Sequence, residues 1–536
     1  MKPTVLIFGS IEESEKIGRA LTDAGMAVTR AVPHDEVQEV AVAPKTASTP
    51  LSTNIVPISE CISCTGSSGD FKVRVVRDGV TESLSAHFVV IARHVLKEPG
   101  YALYGLTPME QVIPLSELER PLGLQQNLSP EVAELNRTAF LVGIHRESDP
   151  QETRRAMSCA LRLQKTGKHQ TYLFTGNLKV AADGSESLYR EAQGAGTVFV
   201  KWEHEPPQIR QTDGGDLFIS FTDAVTRDRC RLAPDLIVID ERPYPSPFTR
   251  QVSQALRLHN GPDGAGPSDN VHRTPVLTNR RGILAVGLSG NEEKEIGALK
   301  LTLAHAARDL EADATAAAVI DTGLCVRCLT CLRVCPHLAV ELSVTAPAIH
   351  PRACEGCGIC TAECPRGAIR MATPITGIPA LSPEDIAPAA EPASFTPVMI
   401  AFCCTRSAVK AGDVAAHLGL PLPAGLRTVS VPCTGGISAA HLYEAFRRGA
   451  DGVLVVTCHP GNCFSEYGER HLARRVEEIS SGLRRMGLPS ERLAVASLAA
   501  NMSGGFAETV DEFEEKIRAL GPSPVARTRS PLVGND

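Results

Sequence analysis

Aromatic residues are scarce in this 536-residue chain, at 4%, with a single tryptophan, Trp202. Long apolar runs are missing as well: VLIF (Val5 to Phe8) and GVLVV (Gly452 to Val456) have strand length and fall far short of the ~18 residues that a membrane span requires. Any membrane contact is therefore expected to be peripheral and made through a partner. The first residues, MKPTVLIFGS, enter a strand pattern directly and lack the apolar region and small-residue cleavage site of a signal peptide. Positive charge is not in excess either. The net charge is -7 and no basic stripe is interleaved with aromatics, which argues against nucleic acid. A cytoplasmic location is expected.

With 43% hydrophobic residues, the chain is long enough for roughly three or four domains, each with its own core. Its seventeen cysteines, in a reducing compartment, are expected to be metal ligands or inert thiols rather than disulfides.

Eight of them form the strongest signal. The sequence reads CVRCLTCLRVCP from Cys325 and CEGCGICTAECP from Cys354, each half being C-x2-C-x2-C-x3-C-P. This is the spacing of a bacterial two-cluster ferredoxin module, in which the fourth cysteine of each run ligates the other cluster. The crossed pattern assigns Cys325, Cys328, Cys331 and Cys364 to one 4Fe-4S cluster, and Cys354, Cys357, Cys360 and Cys335 to the second. Pro336 and Pro365 bend the chain after each fourth cysteine. Zinc knuckles need four ligands per ion with longer central gaps, and disulfide scaffolds are typically short secreted chains, so neither matches as well. Arg327, Arg333 and Arg366 flank the cysteines, either to raise cluster potentials or as solvated charges.

Upstream, TVLIF (Thr4 to Phe8), a helix from about Glu12 to Ala24 and the strand MAVTRAV open a nucleotide-binding βαβ unit. Such a unit carries G-x-G-x-x-G in its first turn so that the backbone can approach a pyrophosphate. Only Gly9 remains of that fingerprint. Ile11 and Ser14 stand at the other two glycine positions, and Glu12 and Glu13 place negative charge where phosphate would sit. Cys61 and Cys64 form a lone C-x2-C, expected to be structural or idle. A hairpin follows, Phe71 to Val76 with Leu84 to Ala92, turning at Asp78-Gly79. A helix capped by Ser116 is expected near residue 116. From Arg137 the α/β rhythm resumes, with Cys159 and Cys230 as isolated packing cysteines. At Arg280 to Leu310 a strand, a turn at Gly287 and an amphipathic helix are either a flavin ribityl and pyrophosphate site or the closing helix of a sheet.

A proline-rich spacer, residues 374–397, precedes a compact α/β unit in which Cys403, Cys404, Cys433 and Cys458 follow strand ends, with Cys463 five residues beyond Cys458. In a parallel sheet these ends converge on one edge, and four thiolates suffice for a 2Fe-2S cluster. His441 and His459 are expected beside the site rather than as ligands.

On IAFCC, the VPCTGG stretch, GADGVLVVTCHPGNC and FAETVDEFEEKIRALGP, this last unit resembles the delta subunit of methyl-viologen-reducing hydrogenase, the MvhD family. That family has a further cysteine at the position of Ser407. The resemblance leaves Cys404, Cys433, Cys458 and Cys463 as the 2Fe-2S ligand set, with Cys403 as the alternate. On GDFKVRVV, VIPLSELERPL, LYREAQGAGTVFVKW and GILAVGLSG, the upstream region is similar to the flavoprotein subunit of heterodisulfide reductase, the HdrA family, which implies FAD at the Gly9 and Gly287 turns. The fusion also resembles the B subunit of quinone-interacting oxidoreductase complexes.

The expected fold class is α/β, with a degenerate Rossmann-type flavoprotein region, a two-cluster ferredoxin module inserted after it, and a C-terminal α/β 2Fe-2S domain. Expected boundaries are 1–312, 313–373, the linker 374–397, 398–521 and a flexible tail 522–536. The resemblances imply an electron-transfer subunit of a heterodisulfide-reductase-like complex, passing single electrons to or from hydrogenase, formate dehydrogenase or quinone-linked partners, with a flavin in this chain or a neighbour. No acid, base or nucleophile is required. The alternative is a self-contained FAD oxidoreductase.

Overall fold

A computed structural model describes residues 2–42, 54–124, 136–145, 150–176, 178, 184–202, 205–212, 215–259, 273, 276–287, 292–311, 318–372, 375 and 395–527. They form two units, residues 1–94 with 247–536, and residues 95–246.

The first unit is built from three parts. Its N-terminal part is a five-stranded parallel sheet in the order Ile283–Val286, Phe88–Ala92, Thr4–Phe8, Ala27–Pro33, Asn54–Ile58. Strand side chains alternate between faces. Val5, Ile7, Phe88 and Val90 pack under helices Ile11–Asp23 and Glu292–Glu311, whereas Leu6, Phe8, Val89 and Ile91 pack on a three-stranded antiparallel sheet, Glu60–Ser67, Asp70–Arg77, Val80–Ala86, and on helix Pro247–Ala255. Coverage of both faces explains why these strands read as unbroken apolar runs.

The expected hairpin turns at Asp78 and Gly79, both left-handed (φ 49° and 77°). Its second strand ends earlier than expected. His87 breaks it, exchanging hydrogen bonds with Thr4, so Phe88–Ala92 leaves the hairpin and joins the parallel sheet. A β-bulge after Cys61 puts Cys61 and Cys64 on the same face, where both are buried in the core.

The ferredoxin part spans two short antiparallel pairs, Ala318–Ile320 with Ile369–Met371 and Val340–Glu341 with Ala348–Ile349, and the helices Thr330–Val334 and Ile359–Ala362. The C-terminal part is a four-stranded parallel sheet in the order Leu426–Val431, Met399–Cys404, Gly452–Thr457, Leu493–Ser497. Helices Ala408–His417 and Ser503–Leu520 cover one face, and Ala439–Arg447 and Gly468–Arg485 the other. Most of the spacer 374–397 lies outside the described residues. The first residues of the expected tail are folded. Ser523 is buried with its N–H donating to Asp451 Oδ1 at 2.7 Å, and residues Pro524–Arg527 form a helical turn whose Val525 packs on the core; residues 528–536 lie outside the described residues.

The second unit has its own parallel sheet, Val198–Val200, Gln170–Phe174, Arg137–Leu141, Leu236–Ile239, Val112–Pro114, with helix Pro150–Gln164 against it and a separate antiparallel sheet of three strands. Cys159 packs in its core. Ser116 is not a cap. It lies within helix Leu115–Leu124, and the buried Glu241 carboxylate accepts from its N–H and Oγ while also pairing with Arg155.

Candidate metal centres

In the ferredoxin part the eight cysteines divide into two groups. Cys325, Cys328, Cys331 and Cys364 line one small cavity, together with Leu329 and Arg366. Cys335, Cys354, Cys357 and Cys360 line another, with His337, Gly358 and Ile359. The two C-x2-C-x2-C loops curl in the same way. Arg327 and Leu329 (φ 55° and 59°) in the first occupy the left-handed region that Gly356 and Gly358 (φ 66° and 79°) occupy in the second. The fourth cysteines match as well: Ala339 N–H donates to Cys335 Sγ at 3.4 Å and Ala368 N–H to Cys364 Sγ at 3.3 Å. Such bonds favour electron-rich sulfur and raise the potential of a ligated cluster. Arg327 and Arg333 donate to the backbone carbonyls of Val344 and Cys328 instead of to sulfur.

The environments differ. Cys328 is exposed, whereas burial pushes the Cys357 thiol up to about 12. A thiolate at Cys357 therefore needs a bound cation to hold its charge. His337, buried at 3% exposure, hydrogen-bonds through Nδ1 to the Asn279 carbonyl at 3.3 Å.

In the C-terminal part Cys404, Cys433, Cys458 and Cys463 come together at the carboxyl edge of the sheet, all buried. Cys404 Sγ lies 3.6 Å from Cys458 Sγ, and Cys433 Sγ 4.0 Å from Cys463 Sγ. Cys458 and Cys463 also interact, so the four sulfurs form one group. Two thiolates bound tetrahedrally to one metal at ~2.3 Å stand roughly 3.8 Å apart. Each pair thus has the spacing for one metal, and two pairs suit a binuclear centre. Among the described residues, no three His, Cys, Asp or Glu side chains converge on a point that would hold a single ion.

Cys403 lies on the other face of the same strand, in the apolar layer under Ala408–His417. Ser407, where the resembling family has cysteine, is fully buried and accepts from Cys458 Sγ at 3.4 Å. His441 is absorbed in the capping box of helix Ala439–Arg447, and His459 contacts Met502 at 3.3 Å. Sequence reasoning missed Glu469, buried in the first turn of helix Gly468–Arg485. Burial, then the neighbouring Cys463, raises its carboxyl to about 7.

Close packing joins this group to the second quartet. A Cβ on Gly436 would lie 2.7 Å from the Cys357 carbonyl oxygen and 3.2 Å from Gly358 Cα, and one on Gly468 would lie 2.4 Å from Cys433 Sγ. Only glycine fits at either place. The Glu363 carboxylate, one residue before Cys364, binds Arg475 at 2.6 Å, Arg474 at 2.8 Å and His471 at 3.2 Å. Arg475 in turn donates to the carbonyls of Gly435 and Ile437. Ser465, two residues after Cys463, hydrogen-bonds to Cys357.

The two glycine turns behave differently. A Cβ at Gly9 would sit 2.6 Å from Ala92 Cβ, and one at Gly287 2.9 Å from the Arg93 carbonyl, so both glycines serve close chain packing. Ile11 N–H donates to Glu36 Oε2 at 2.8 Å, and Gly287 N–H to Glu295 Oε2 at 2.5 Å. Carboxylates of the chain itself thus hold one backbone donor at each of the two turns.

Two cysteine quartets in a ferredoxin module, beside a third group of four thiols at the edge of an α/β sheet, define an iron-sulfur protein of the electron-transfer class. Residues 317–365 match the 4Fe-4S dicluster domain, and residues 399–521 match the family described as methyl-viologen-reducing hydrogenase, delta subunit. The vhu iron-sulfur subunit of the F420-non-reducing hydrogenase of Methanococcus maripaludis is 33% identical over 129 residues, 24% of this chain and 96% of that protein. Through this domain the chain belongs to the hydrogenase delta-subunit family. It is also similar to the HdrA-type subunit of the ferredoxin:CoB-CoM heterodisulfide reductase of Methanosarcina mazei, 25% identical over 354 residues, 65% of this chain. That match covers 44% of the relative, so the chain spans less than half the length of that reductase subunit. The chain thus fuses an HdrA-like region to a hydrogenase-delta-like domain. Among solved structures, Lactococcus lactis thioredoxin reductase aligns over 57% of this chain and 98% of its own, at 15% identity and a TM-score of 0.34, too slight a likeness for a functional argument.

Proposed function

We propose that the chain is an iron-sulfur electron-transfer subunit of a heterodisulfide-reductase-like complex. In this reading Cys325, Cys328, Cys331 and Cys364 hold one 4Fe-4S cluster, Cys335, Cys354, Cys357 and Cys360 a second, and Cys404, Cys433, Cys458 and Cys463 a 2Fe-2S cluster. Residues 313–373 and 398–521 are the cluster-bearing domains, and the upstream region docks other subunits. Bound clusters supply one-electron exchange, and the protein tunes their potentials by hydrogen bonds to sulfur and by burial.

The observation that carries the proposal is the contact of the Cys357–Gly358 backbone with Gly436, three residues beyond Cys433. It holds the second quartet and the C-terminal thiols side by side at the glycines. Arg475 and Glu363 fix that register, and Ala339 and Ala368 fix the fourth cysteines. The exposed Cys328 puts the first quartet at the surface, where a partner's redox group can approach.

The names of the relatives point to hydrogenase and heterodisulfide reductase subunits as the kind of partner, with formate dehydrogenase or quinone-linked subunits as further candidates. No helix among the described residues is long and apolar enough to cross a membrane, which is compatible with a peripheral position in such a complex. Anaerobic affinity purification of the full chain from its native cell tests the proposal. Co-purifying redox subunits are expected, with the chain reduced by the electron donor of the complex; a chain that purifies alone and is not reduced would count against it.

A further inference from the structure

Parallel α/β sheets bind nucleotides at the carboxyl ends of their strands, where backbone N–H groups at a glycine turn and a helix start face the phosphates. At three such strand ends in this chain at least one of those groups is already liganded from within. After Thr4–Phe8, Ile11 N–H donates to Glu36 Oε2 at 2.8 Å, and the Ser10 side chain takes Glu13 N–H. After Ile283–Val286, Gly287 N–H donates to the buried Glu295. In the second unit, after the central strand Arg137–Leu141, Gly143 N–H donates to Asp240 Oδ2 at 2.9 Å.

These carboxylates are fixed in place. Asp240 is 2% exposed, and its other oxygen accepts from Tyr104 Oη at 2.7 Å. Glu295 is equally buried and neighbours the buried Arg93. Beneath the first turn the fully buried Arg30 donates to Ser14 Oγ at 3.0 Å and to the Ile11 carbonyl at 2.5 Å, pinning the segment where two glycines would otherwise stand.

Electrostatics acts in the same direction. A helix start attracts an anion through its partial positive charge, and one carboxylate largely satisfies it. A phosphate brought to Ile11 would have to displace Glu36 while also meeting Glu12 and Glu13 in the first turn. Like charges at such range, part-buried, repel strongly.

We infer that both dinucleotide-type sheets are self-liganded, with Glu36, Asp240 and Glu295 in the places of cofactor oxygens, so that this chain retains neither FAD nor a pyridine dinucleotide. Any flavin in the assembly then belongs to a partner subunit. This inference goes beyond the electron-transfer reading and is independent of it.

The test is equilibrium dialysis of the anaerobically purified full chain against FAD and, separately, NADH, with acid-released flavin measured before dialysis and iron measured on the same sample. The expected result is no flavin released and no retention of either nucleotide above a flavin-free control protein. Stoichiometric FAD as purified, or saturable uptake of FAD or NADH, would overturn the inference. The iron content separates the two readings: iron with bound flavin refutes self-liganding and leaves the electron-transfer reading standing, whereas neither iron nor flavin does the reverse.

Discussion

Gly436 presses on the backbone of Cys357 so closely that a Cβ would stand 2.7 Å from the Cys357 carbonyl oxygen. The opposing atom is backbone in a cysteine loop and cannot swing away. Gly436→Val is therefore expected to destabilise the chain by about 1–3 kcal/mol, the usual cost of overpacking. Guanidinium unfolding read at the visible cluster absorption should show it. Unchanged stability would mean that the two loops do not meet.

Arg475 bonds to Glu363 and to the Gly435 and Ile437 carbonyls, and its side chain is 8% exposed. Arg475→Met keeps the length and removes the charge-assisted bonds, at an expected loss of about 1.5–3 kcal/mol. Arg474→Met, at a side chain 60% exposed, is expected to lose less than about 1 kcal/mol. Denaturation midpoints of the two variants check the ordering.

Cysteine substitutions distinguish ligands from packing residues. Cys357→Ser is expected to reduce bound iron by about four per chain, and Cys458→Ser by about two. Cys403→Ser, in the apolar layer of the opposite sheet face, should leave iron unchanged. Iron analysis of anaerobic preparations reads all three, and a loss of iron at Cys403 would reassign the ligand set.

Asp240 bridges Tyr104 and Gly143 in the second unit. Asp240→Ala removes the acceptor of the Gly143 N–H and the shorter of the Tyr104 hydroxyl's two hydrogen bonds, the other going to the Leu141 carbonyl, and is expected to cost about 1–3 kcal/mol. Calorimetry with and without NADH measures it, and in the wild type added NADH should not shift the transition.

The cysteine runs are the most legible part of the chain, because their spacing is a local property and the cavities are built by a few residues on either side of each thiol. The parallel sheets are legible for a similar reason: VLIF and GVLVV are apolar on both faces because both faces are covered. Helix Ala408–His417 is not anticipated by periodicity. Its buried face is three alanines, and at Gly412 a Cβ would stand 3.1 Å from the Phe506 ring, so the segment carries little hydrophobic signal. The carboxylate on the first turn is also hidden: Glu36 is 25 residues from Ile11, and nothing in either segment marks the pairing. The eroded glycines do show that the turn is unusual, but only the fold shows which side chain fills it. The bulge that turns Cys61 and Cys64 to one face is likewise beyond periodicity, which would put them on opposite faces.

The most direct test of the central claim, that one chain carries two ferredoxin-type clusters and a third centre in its C-terminal domain, is the iron content of the anaerobically purified full chain. About ten iron ions per chain are expected, eight in the two quartets and two among Cys404, Cys433, Cys458 and Cys463. About eight would contradict the claim, because the C-terminal thiols would then hold no cluster.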